Sequence, residues 1–170
     1  RSTLFPYTTL FRSPYRYHTA LGQAQLKAGQ GKASLATLQR ARELFPRNVA
    51  VTVRSAEAMM QLGESKQAHA ILLDLFNAVP PTPEQARLTA LAANAAGDVA
   101  DSYYYMSEYH LMSGDLPLAI NQLQLALAVP KITSVQRARF QARMDEVQQA
   151  MPKRGSRRAA SSSPRLQITN

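Results

Sequence analysis

The side chains of this 170-residue chain that could hold a metal or carry a proton are three histidines, His18, His69 and His110, and eleven carboxylates, with no cysteine to add a thiolate. Thr19, Ala70 and Leu111 follow the three histidines, so no His-Glu pair opens a helical zinc-protease motif. That motif needs two histidines one helical turn apart to hold the ion and a glutamate between them to activate water. There is also no Gly-x-Ser-x-Gly elbow to present a nucleophile and no Gly-x-x-x-x-Gly-Lys loop to cradle phosphate. The sequence therefore predicts no catalytic residue, no metal site and no cofactor for this chain, and so no enzymatic activity of its own.

The densest run of functional side chains is Asp101 to His110, which holds Tyr103, Tyr104, Tyr105 and Tyr109. On a helix the hundred-degree step puts Tyr105 and Tyr109 on one stripe and turns Tyr103 and Tyr104 to others, so all four cannot share a core. A phenol is expected to reach a groove or an interface, where its apolar ring and polar tip both find partners.

These residues sit in a chain whose punctuation repeats. Gly29, Gly63 and Gly97 are spaced 34 residues apart, and Pro46 and Pro80 are also 34 apart, each 17 after a glycine. This is the tetratricopeptide period, a pair of helices per unit. A glycine makes the left-handed turn after the first helix, and a proline, lacking its N–H, closes the second. The first unit, with Ala20-Leu21-Gly22, Gly29, Leu38, Ala41 and Pro46, resembles the tetratricopeptide consensus, and the second keeps Ala56, Gly63, Ala68, Leu72 and Pro80. Met59 and Leu75 replace the usual Tyr and Ala there and conserve apolarity. The third starts at Pro83-Glu84, a helix-start pair.

After Gly97 the next turn, Ser113-Gly114-Asp115, comes only 17 residues on, so 99–112 must close one pair and open another. The predicted architecture is an all-α tetratricopeptide helical-hairpin solenoid of about eight helices over 14–151, with units near 14–46, 48–80, 83–112 and 99–130 and an end helix at 134–151. That end helix carries Val135, Ala138, Phe140, Ala142, Met144 and Val147 among Gln and Arg, as a terminal helix with one wet face should. His110 stands where the repeat places an aromatic, which predicts packing rather than catalysis.

The two ends differ from this array. Thr3 to Ser13 reads, codon for codon, as a translated short-read sequencing adapter, and Arg1-Ser2 repeats its last two codons, so 1–13 is expected to be non-native and the natural N-terminus missing. From about Pro152 the Arg- and Ser-rich sequence has too little apolar surface to offset ordering, and a disordered basic tail over 152–170 is expected. The net charge of +9 belongs to these ends: 1–13 and 151–170 hold seven basic residues and no acid, which leaves thirteen basic and eleven acidic residues in 14–150. Such a tail can bind polyanions at low salt, but no aromatic interleaves its arginines to stack bases, so no specific nucleic-acid partner is predicted. The longest apolar stretches, Ile71 to Val79 and Leu116 to Val129, are interrupted by Asp74, Asn77, Asn121, Gln122 and Gln124, so no membrane span is expected. The lack of cysteine assigns no compartment.

A helical-pair array offers a concave face lined by its opening helices. By the repeat frame that face is expected to hold Arg16, Gln23 and Lys27, then Val53, Glu57 and Met60, then Arg87, Leu91 and Asn94, then Tyr104, Glu108 and Leu111. A clamp for a C-terminal carboxylate wants asparagines at matched sites, where Gln23 and Glu57 stand instead. The mixed lining suits extended or partly unfolded polypeptide, or another domain of the same protein.

Ala96-Gly97-Asp98, the Tyr-rich helix ending Ser107-Glu108-Tyr109-His110, then Ser113-Gly114-Asp115, Ala119-Ile120-Asn121-Gln122-Leu123 and Arg137-Ala138-Arg139 resemble the C-terminal tetratricopeptide region of bacterial β-barrel assembly-enhancing proteases. The resemblance covers most of 14–150 and is closest from Ala92 to Val147. It implies a periplasmic, non-catalytic docking half of a zinc metallopeptidase in outer-membrane protein quality control. The zinc and its His-Glu-x-x-His would lie in a separate N-terminal domain, and no position here matches them. The implied partners are unfolded or stalled outer-membrane protein, the assembly machinery or the peptidase domain itself. The rival expectation is a free-standing repeat scaffold with no linked protease.

Overall fold

The structure, a computed structural model, describes residues 14–150, so the readings made for 1–13 and 151–170 lie outside the described residues. Among the described residues eight helices follow one another: α1 (Pro14–Lys27), α2 (Gly31–Leu44), α3 (Val49–Gln61), α4 (Ser65–Phe76), α5 (Pro83–Ala96), α6 (Val99–Met112), α7 (Leu116–Ala128) and α8 (Ser134–Ala150). Among the described residues there is no strand.

Many of the helix boundaries have a local cause. Gly29, Gly63, Gly97 and Gly114 all take positive φ, from 75° to 90°, and turn the chain after α1, α3, α5 and α6 at no Cβ cost. The side chains of Asn48, Asp98 and Asp115 accept the backbone N–H of Val51, Asp101 and Leu118, which caps α3, α6 and α7. At α5, Thr82 and Gln85 form a reciprocal capping box and Pro83 opens the helix.

Neighbouring helices pack along the chain, and α6 lies as extensively against α5 as against α7, so it takes part in both pairs. Small residues mark the crossings. Gly22 of α1 faces Leu38 of α2 so closely that a Cβ there would stand 2.7 Å from Leu38 Cγ, and Ser34 Oγ donates to the Gly22 carbonyl at 2.7 Å. Alanine at Gly22 gains helix propensity of up to about 1 kcal/mol but overpacks a fully buried leucine, which costs about 1–3 kcal/mol. The expected net effect is a destabilisation of about 1 kcal/mol, read as a lower thermal midpoint by circular dichroism.

The central core joins Ala56, Met59, Ala68, Leu72 and Ala92, from α3, α4 and α5. A second core at the C-terminal end holds Ala100, Ala126 and Phe140, with Leu123, Met144 and Val147 beside it. In α8 only the stripe Phe140, Met144 and Val147 is buried, while Val135, Ala138 and Ala142 face outward among the polar residues. No helix among the described residues is long and apolar enough to cross a membrane.

Candidate functional site

The helix register of α3 and α5 brings four of the expected groove residues together. Val53 and Glu57 of α3 and Arg87 and Leu91 of α5 line one concavity of about 170 Å³ with Glu84, Gln85 and Leu88. These residues recur at steps of three and four along each helix, so each set shares one face. Val53 and Leu88 are partly buried and rest on the central core, whereas Leu91 is half exposed at 50%. The site thus has an apolar floor with acids, Glu57 and Glu84, and a cation, Arg87, at its rim.

One residue absent from the expected set extends this surface towards α1. Arg54 Nη1 donates to Glu57 Oε2 at 2.8 Å, and with the Gln23 amide oxygen turned towards it Arg54 also donates to Gln23 at 3.1 Å. Gln23 and Glu57 are therefore bridged across α1 and α3. The i,i+3 spacing of Arg54 and Glu57 is the signal that could have found the pair. Arg16 and Lys27 are exposed on α1, and Asn94 is exposed in the last turn of α5, all outside this lining. Met60 is turned into the central core rather than the groove.

The three groove residues expected on α6 do not line an open surface, because α8 covers them. The Tyr104 ring stacks on Phe140 with centroids 5.1 Å apart, under the Arg139 guanidinium at 4.4 Å. Glu108 accepts both Arg143 Nε at 2.7 Å and Arg143 Nη2 at 2.8 Å, the bidentate geometry that gives such pairs their strength. Leu111 packs beside Leu123, Met144 and Val147. Burial, helped by the charge of Glu108, raises the Tyr104 phenol above its ordinary value, and burial raises Tyr105 further. Tyr105 is buried and half-buried Tyr103 packs against the Ala100, Ala126 and Phe140 core, so with Tyr104 three of the four tyrosines serve packing, while half-buried Tyr109 meets the His110 ring.

A buried polar node fastens the same region. Asp101 of α6 is almost fully buried and accepts from Arg139 of α8 and, at 3.4 Å, from Gln136 Nε2, which also reaches Asp98 at 3.1 Å. His69 of α4 sets its Nε2 3.5 Å from Asp101 Oδ2, at the outer limit of a hydrogen bond, with no closer partner. Burial alone would raise the Asp101 carboxyl, but His69, the Arg139 charge and Gln136 outweigh it and hold it below its usual value. Neither His18, half-buried near the Phe45 ring, nor half-buried His110 joins this node. Among the described residues no three His, Asp or Glu side chains converge as metal ligands.

A larger cleft, about 750 Å³, opens between α2, α3 and α4, lined by Leu35, Met59, Ile71 and Leu75 with Gln39, Arg42, Glu43, Arg47, Glu64, Gln67 and Asp74 among others. The sequence gives no sign of it, because it arises from the gap between two closing helices, which neither helix's own periodicity records.

Residues 25–92 match the tetratricopeptide repeat family. No curated protein matches the sequence. Among solved structures, similar chains include a MamA RS-1 ArsTM double mutant, at 14% identity over 79% of this chain and 94% of that one, with a TM-score of 0.42. A crystal structure of MamA protein gives 14%, 81%, 87% and 0.46, and MamA 41-end from Desulfovibrio magneticus RS-1 gives 14%, 79%, 88% and 0.41. With its 34-residue punctuation and its paired helices, the described chain is an all-α helical-hairpin solenoid, and residues 25–92 within it match tetratricopeptide repeats.

Proposed function

We propose that the chain is a polypeptide-docking module without catalysis of its own, and that it forms the C-terminal half of a periplasmic zinc metallopeptidase in outer-membrane protein quality control. The observation that carries the docking role is the α3 and α5 groove, with Val53, Leu88 and Leu91 on its floor and Glu57, Glu84 and Arg87 at its rim. An extended segment with apolar and polar side chains in alternation sets one set on the leucines and the other against the charges. Strands of outer-membrane barrels have that alternation over about ten residues, so an unfolded or stalled barrel protein is the substrate proposed. The assembly machinery and the peptidase domain itself are the other partners in this reading. Support for the linked peptidase comes from the resemblance of Ala92 to Val147. Zinc belongs to that separate domain.

The docking role is tested by fluorescence anisotropy with a labelled ten-residue barrel-strand peptide. Leu91→Asp is expected to weaken binding at least about tenfold, or roughly 1.4 kcal/mol, while Leu118→Asp, exposed on α7, leaves it unchanged. Equal affinity in all three proteins contradicts the groove. The linked peptidase is tested separately by recovering the source DNA upstream of the codon for Pro14. A signal peptide and a His-Glu-x-x-His helix there support it, and a nearby start codon with neither leaves a free-standing scaffold.

A further inference from the structure

The opening helix α1 leaves bare a face that its counterparts bury. Tyr17, Leu21 and Ala24 are all exposed, the first two at 64% and 52%. Counting 34 residues on, the same positions of α3 are Val51, Ser55 and Ala58, none more than 2% exposed. A further 34 on, in α5, Thr89 and Ala92 are fully buried and Gln85 is half-buried. α1 has its own closing helix, α2, and a following opening helix, α3, just as α3 has α4 and α5. What α3 and α5 have and α1 lacks, among the described residues, is a preceding helical pair: α2, with a smaller contact from α1, packs on α3, and α4, with a smaller contact from α3, packs on α5, so the closing helix is the main cover each time.

We infer that the Tyr17, Leu21 and Ala24 face of α1 is the seat of a closing helix from a preceding repeat of the same polypeptide, an amphipathic helix with an alanine and leucine face like α2 and α4. The surface continues an interface the fold already makes twice. The two ends of the array point the same way. At the C-terminal end the outward face of α8 carries Arg137, Gln141, Asp145 and Gln148, all exposed, a polar finish that stops stacking. That polar face does not complement Tyr17 and Leu21, which argues against head-to-tail stacking of a second copy and for a helix of the α2 type.

The test inserts a second copy of residues 14–47 between Ser13 and Pro14 of the full chain, one 34-residue unit in frame, so that a copy of α2 precedes α1. Because repeat stability sums intrinsic and neighbour terms, the enlarged protein should unfold in one transition at a midpoint raised by roughly 5 °C or more. Leu21→Asp in the original α1 should abolish the gain, and the same substitution in the chain without the insertion should leave its midpoint unmoved. An added unit that unfolds separately without raising the midpoint overturns the inference, as does a gain that Leu21→Asp leaves intact. Sedimentation of the unmodified chain gives an independent check. A dimer dissolved by Leu21→Asp would assign the face to a second copy and overturn it, whereas a monomer at tens of micromolar supports it.

Discussion

Replacing Phe140 by alanine is expected to release α8 from the array. Phe140 is fully buried, stacks on Tyr104 and packs with Ala100 and Ala126, so it holds α8 against α6 and α7 together. Truncating a buried phenylalanine costs about 3–5 kcal/mol, the sum of lost transfer energy and an unfilled cavity. In a solenoid each element is held only by its neighbours, so the loss should fall on α8 and not on α3 to α5. Hydrogen exchange should show the α8 amides losing protection by two orders of magnitude or more, while those of α3 to α5 keep theirs. Uniform loss along the chain would mean that the array unfolds as one unit. The consequence reaches binding, because α8 covers Tyr104, Glu108 and Leu111. Release should expose these residues and raise the affinity for an apolar reporter dye.

Asp101→Ala is expected to cost about 2–3 kcal/mol. Removing one partner of a buried ion pair typically costs about 3–5 kcal/mol, because the charge left behind loses its compensation. A lower figure applies here because the Arg139 side chain remains 31% exposed and can recover some hydration. The same carboxylate gives the acid response a sign. Its folded-state pKa lies below the ordinary value of 3.8, so the folded protein binds this proton less readily than the unfolded chain. The stabilisation is therefore complete above that ordinary value and is lost as the pH falls through the lower, folded-state one. Chemical denaturation from pH 6 down to about pH 2 should show wild type and Asp101→Asn converging in stability at the acid end, with the difference restored above about pH 5. A constant difference across the range would exclude the carboxylate charge as the cause.

The parts of the fold written in short-range signals were legible. Glycines at 29, 63 and 97 and prolines at 46 and 80 mark where helices must turn or stop, and the eight helices follow them. Ala56, Ala68 and Leu72, expected as repeat core positions, are fully buried. Of the groove, Val53, Glu57, Arg87 and Leu91 meet as the 34-residue frame implies. What escaped was which distant helix covers a given face. The periodicity of α6 places Tyr104, Glu108 and Leu111 on one side, but nothing within α6 says that Arg143 and Phe140, some 35 residues later, will lie on them. The approach of His69 to Asp101 escaped for the same reason, since it joins two helices of different units. α8 buries one narrow stripe and leaves its other residues wet or half-buried. Val135, placed among its apolar residues, is 76% exposed because the buried stripe begins only at Phe140.

Docking in the α3 and α5 groove is tested most directly by site-specific photocrosslinking to an unfolded outer-membrane barrel protein. A photoreactive residue is placed at Leu91, in the groove, in one protein and at Gln67, in the larger cleft beside α4, in another. Adducts at position 91, suppressed by excess unlabelled barrel-strand peptide and absent at position 67, are the expected result. Adducts at position 67 alone, or at neither site, would contradict docking in the groove.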